Sequence, residues 1–218
     1  MYYLNKSITK RLVTSREAIE IVQAEPVLSE RMSVVGFSPA EMANGQAYQQ
    51  DAERLHSTQD VEYGNQVAAT QVLAGIANDI RARLIVDRRI AITALKSLPG
   101  LARQLRLTGP VFKFNEALYN QAAHFYTELL NSEEALVRMA EYGTTTEMLN
   151  VRLDLVTDMG QAMKAQQIRI GQAQITTAQR REAMQKLDTW MSRFIKAARL
   201  AFVDEPKELK KLGIHVKE

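Results

Sequence analysis

Sixty residues from Thr144 to Val203 contain no proline, and a second proline-free run extends from Ala40 to Leu98. Few architectures other than long helices use such runs. In the first of them Met184, Leu187, Met191, Phe194, Ala198 and Ala201 recur at spacings of three and four. That is a heptad seam, and a helix carrying one needs a partner helix to cover it. The Thr144–Val203 run therefore reads as one very long helix, or as two helices meeting near Gly171. The other run carries Leu73, Ile76, Ile80, Leu84, Ala91, Ala94 and Leu98 in its distal part, with breaks left open at Gly64 or Gly75. Its middle, Gln49 to Gln66, is polar and would be weakly held unless another helix covers it.

Local punctuation supports the same reading. Ser38-Pro39-Ala40-Glu41 combines an N-cap serine, a proline at the first helical position and a glutamate placed to bond back to the cap. Thr144 to Glu147 supplies a similar box before the last long run, and Thr14 with Glu17 another near the N-terminus, so residues 1–25 read as one helix or as a short turn plus a helix. Pro26 is expected to end the N-terminal helix, with a brief apolar piece over Val27 to Val35 leading to Gly36. A shorter helix is expected from about Lys113 to Leu130, and another over Asn131 to Tyr142. Pro206 to Leu212 forms a closing turn that ends at Gly213.

Displacing the chain by 107 positions places Gly36 on Gly143, Gly64 on Gly171, Pro99 on Pro206 and Leu105 on Leu212. The punctuating residues coincide, so residues 31–107 and 138–214 are expected to be an internal repeat, with the two long helices as a pseudo-twofold pair. The expected fold is all-α. It is an elongated antiparallel, four-helix-bundle-like arrangement, formed as a single helical domain over residues 1–218. An aromatic share of only 6% agrees with helices packed through aliphatic side chains rather than with a β-sandwich.

The C-terminal wording is the most distinctive part of the chain. Leu187-Asp188, Trp190-Met191 and Phe194, then Ala198-Arg199 and Ala201, then Asp204, Pro206, Leu209 and Leu212-Gly213-Ile214 resemble the ending of a group of bacterial all-helical proteins with no assigned activity. Gly36-Phe37 and the stretch from Gly64 to Thr70 are similar to the first half of that group. The resemblance implies a helical fold and carries no site residues. Read as residues, Trp190, Met191, Phe194, Ala198, Ala201, Pro206, Leu209 and Leu212 suit packing. Small alanines permit close helix approach, and the last leucines fold back as a plug.

Chemistry is sparse by comparison. The absence of cysteine excludes disulfides and thiolate-bound metal. Glu53 and His56 have the Glu-x-x-His spacing of carboxylate-bridged di-metal bundles, but the positions displaced by 107 are Gly160 and Met163. The second pair is missing, so a solvated Glu/His face is the expectation. No phosphate loop, nucleophile elbow or zinc motif occurs, and neither an enzyme nor a cofactor is expected. Arg81, Arg83, Arg88 and Arg89 cluster in one run, and Arg193, Lys196 and Arg199 in the other. Such groups could contact phosphates or nucleic acid. Asp79, Asp87 and Asp188 are interleaved with them, and 28 basic against 25 acidic residues leave a net charge of only +3. Solvated faces and ion pairs are the weightier reading. The start, Met1-Tyr2-Tyr3-Leu4, lacks the apolar core of a secretory signal, and no 18-residue apolar run occurs, so a cytoplasmic location is the default expectation. The expected role is a helical interaction or self-assembly protein, homo-oligomeric or bound to a protein partner. Phosphate or nucleic-acid binding is the alternative.

Overall fold

The computed structural model describes residues 3–215. Among these, eight helices and no strand are present. They are α1 (Ile8–Ala24), α2 (Pro26–Val34), α3 (Pro39–Ala94), α4 (Pro99–Gln104), α5 (Asn115–Leu130), α6 (Glu133–Ala140), α7 (Thr146–Ala201) and α8 (Pro206–Lys211). The chain divides into two compact units, Met1–Tyr63 with Gln172–Glu218, and Gly64–Gly171. Helices α3 and α7 each contribute one half to both.

The first unit buries Leu12, Ile19, Val22, Leu28 and Met32 of α1 and α2 against Met42, Ala52, Leu187, Met191 and Phe194 of the long helices. The second buries Leu118, Phe125, Leu129 and Met139 of α5 and α6 against Ile80, Leu84, Leu149 and Val156. Pairing between the long helices is antiparallel in both. In the first unit Arg193 meets Glu41 at 3.2 Å and Arg180 donates to Gln59 at 2.7 Å, so α7 numbers fall as α3 numbers rise. In the second, Gln166 donates to Thr70 at 3.1 Å and Arg152 donates to Asp87 at 2.5 Å.

The first residues of α1, α2, α3 and α4 are each 107 positions before those of α5, α6, α7 and α8. The turns agree as well. Gly36 and Gly143 both take positive φ, at +93° and +78°. Each lies in a turn where the next residue donates back to a methionine carbonyl, Phe37 to Met32 at 2.9 Å and Thr144 to Met139 at 3.1 Å. A residue without Cβ is suited to that left-handed position, where any other side chain would crowd the neighbouring carbonyl.

Three local expectations need correction. Pro26 does not simply end a helix: it occupies the first turn of α2, where its missing N–H is no loss, and the apolar piece from Val27 is helical. Of the two N-terminal alternatives the single helix holds: α1 starts at Ile8, where Ser7 caps it by accepting from Lys10 N–H, and Thr14 lies inside it rather than at a cap. The cap before α7 is Thr145, whose Oγ1 accepts from Met148 N–H at 3.3 Å; Thr144 is buried one residue earlier.

Helices α3 and α7 are unbroken, each 56 residues long. Gly64, Gly75 and Gly171 lie inside them, and a Cβ added at any of the three would meet nothing within 4 Å. Glycine there costs the helix backbone entropy and gains no contact. Gly64→Ala and Gly171→Ala are each expected to stabilise the protein by about 0.5–1 kcal/mol, raising Tm by about 1–4 °C. Thermal unfolding followed by circular dichroism checks this. A fall in Tm would mean that these glycines permit a bend or an approach the static helix does not display.

Candidate functional site

The sequence-predicted packing residues collect in the first unit. Trp190, Met191, Phe194, Ala198, Leu209 and Leu212 are buried, Ala201 is half-buried against them, and Pro206 is exposed at the start of α8. Trp190 stacks on Phe194 with centroids 5.3 Å apart, and Phe37 meets both edge-on at 5.5 Å. The indole lies directly over Gly45: a Cβ built there would sit 2.2 Å from Trp190 Cζ2. Gly45 is thus the floor that this aromatic group requires, and nothing in the seam spacing singles it out.

In the second unit the positions displaced by 107 carry charges instead. Arg152 stands where Gly45 does, Asp87 where Phe194 does and Arg83 where Trp190 does. Asp87 is fully buried and accepts from Tyr126 Oη at 2.8 Å as well as from Arg152. Burial pushes its carboxyl above the ordinary range, with Tyr126 and the arginines acting in opposition. The same burial, aided by the Asp87 charge, pushes the Tyr126 hydroxyl far up.

The basic residues divide by use. Arg88 is buried and donates through Nη2 to the carbonyls of Arg106, Thr108 and Gly109 at 3.0–3.2 Å, while Arg81 donates to Lys113 O at 2.8 Å. These two side chains fasten the segment after α4 to α3. Arg83 and Arg89 are exposed. Arg193 pairs with Glu41 and lies 5.9 Å from the Phe37 ring centroid. Lys196 and Arg199 are brought together at a cleft of about 240 Å³ whose apolar walls include Met191, Ile195, Leu212 and Ile214. Glu53 is held by Gln49 and Arg16, which keep its carboxyl below the usual range. Among the described residues no group of three or more His, Asp or Glu side chains is placed to hold a metal ion. Nor is any described helix long and apolar enough to cross a membrane.

Each unit contains turns of the long helices on which no described residue is buried. No side chain from His56 to Val72 in α3, or from Gly160 to Gln172 in α7, is buried. Apolar side chains are nevertheless present there. Val61 and Tyr63 are exposed in the first unit, and Val67, Val72 and Ile168 in the second, with Ile168 at 71%. In the second unit Gln66, Gln71, Gln166 and Gln167 lie on the same turns. Compared with known proteins, the chain matches no family model, no curated protein and no solved structure.

Proposed function

We propose that the protein is a non-enzymatic helical interaction module that self-assembles through its second unit, at residues 64–72 of α3 and 160–171 of α7. One observation carries the reading: neither stretch contains a buried residue, yet Val67, Val72 and Ile168 are exposed on them. Scattered exposed aliphatics are ordinary, but their concentration on turns that lack any buried residue supports an interface. A second copy of this chain suits that surface. Glutamine amides both donate and accept, so one glutamine-rich face can satisfy another like itself. A net charge of +3 offers little repulsion between copies.

Sedimentation equilibrium across a concentration series tests this. The wild-type protein is expected to pass from monomer to a defined oligomer, and Val72→Glu with Ile168→Glu to remain monomeric with unchanged helicity and Tm. A wild-type monomer at the highest concentration, or an oligomer indifferent to both substitutions, would overturn the reading.

A further inference from the structure

The segment between α4 and α5 holds a feature that assembly does not use. Arg106 is the one non-glycine residue with positive φ among those described, at +50°. The position displaced by 107 is Gly213, at +66°, where the chain uses the residue that such a conformation favours. An arginine kept in a strained conformation points to a role for its side chain. That side chain lines a cavity of about 460 Å³ together with Thr108, Phe112, Asn120 and His124, and no acidic residue lines it.

The surroundings are positive and fixed. Beneath the segment, Arg88 is 4% exposed, reaches three carbonyls and no carboxylate among the described residues, and leaves Nη1 without a hydrogen-bond partner. Its charge is therefore not neutralised locally. Gln121 braces the same segment, accepting from Phe112 N–H at 3.0 Å and donating to Pro110 O at 3.1 Å. His124 Nε2 lies 2.9 Å from Gln104 O, a group that only accepts, so Nε2 carries hydrogen and holds the ring against the end of α4.

We propose that this cavity binds a phosphomonoester, with Arg106 contacting the phosphoryl oxygens, Thr108 and Asn120 adding neutral donors, and Phe112 flanking the organic group. The Arg106 guanidinium can pair with two phosphoryl oxygens at once, which leaves Thr108 and Asn120 for the third terminal oxygen that a carboxylate lacks. The volume lies in the range of small-molecule pockets and leaves room for an organic body beside the phosphate.

Titration calorimetry with phenyl phosphate, inorganic phosphate and benzoate tests the proposal on the full chain in whatever oligomeric state it adopts. Phenyl phosphate is expected to bind about tenfold or more tighter than benzoate, and tighter than inorganic phosphate. Arg106→Gly is expected to weaken phenyl phosphate binding about tenfold or more while leaving Tm unchanged or higher, since glycine suits the left-handed backbone. Absence of phenyl phosphate binding at millimolar concentration, or wild-type affinity in Arg106→Gly, would overturn the assignment. Neither result bears on the self-assembly reading, which sedimentation decides.

Discussion

Replacing Gly45 by alanine is expected to destabilise the protein by about 3 kcal/mol, among the larger effects of a single methyl group. The added Cβ would lie 2.2–2.5 Å from three ring atoms of Trp190. The indole cannot retreat, because Phe194 stacks on it at 5.3 Å and Phe37 abuts it at 5.5 Å. Alanine is otherwise the better helix former, so the loss arises from tertiary overpacking against a gain in local propensity of about 1 kcal/mol. Trp190→Leu alone should also destabilise, by leaving a cavity. Gly45→Ala combined with Trp190→Leu should cost clearly less than the two separate losses added together, because the methyl then enters space the indole has left. Urea unfolding of the four proteins in this cycle measures the coupling. Additive losses would show that the two residues do not touch.

The contrast between Gly45 and Gly171 marks how far the sequence could be read. Both are lone glycines inside long helical patterns, and propensity treats them alike. One floors an aromatic stack; the other faces open space. What separates them is the identity of the residue across the helix pair, which a one-dimensional pattern does not contain. The long helices themselves were legible, because Met184 to Ala201 keep one period and Pro39 and Pro206 lie at helix starts. Helix α2 was not, since Pro26 carries the same signal whether it closes one helix or opens another. The exposed central turns were anticipated in α3 by their polarity, but which valines and isoleucines they present depends on the pairing. Arg106 gave no sequence signal beyond its register with Gly213, and His124 belongs to no motif. Asp87 was read as a solvated charge blunting its arginine neighbours, yet it sits three residues after Leu84 and four before Ala91, on the seam. A carboxylate at a seam position demands a buried cation or hydroxyl, and that demand was the signal available.

Asp87→Leu is accordingly expected to cost about 3–5 kcal/mol, because it leaves Arg152 and the Tyr126 hydroxyl without the oxygens they donate to in a water-poor site. The group as a whole need not be stabilising. Replacing all three members at once, Asp87→Leu with Arg152→Met and Tyr126→Phe, removes the unmet donors together with the acceptor and should return to within about 1–2 kcal/mol of wild type, on either side of it. The pH response follows from the direction of the shift. Burial holds the Asp87 carboxyl above its ordinary value, so the folded protein binds that proton more tightly than the unfolded chain does. Its contribution to stability therefore declines as pH climbs from the ordinary carboxylate range through the raised folded value. The triple variant lacks this decline, and its denaturation midpoint should fall less than that of wild type across the same window, with Asp188, also raised by burial, and Glu53, held low by Gln49 and Arg16, contributing slopes of opposite sign that both proteins share. Denaturant midpoints measured at intervals from acid to neutral pH separate the two contributions. A single Asp87→Leu variant as stable as wild type would mean that the buried carboxylate contributes no more than a leucine in its place, and that the charged seam of the second unit is exchangeable for the aromatic seam of the first.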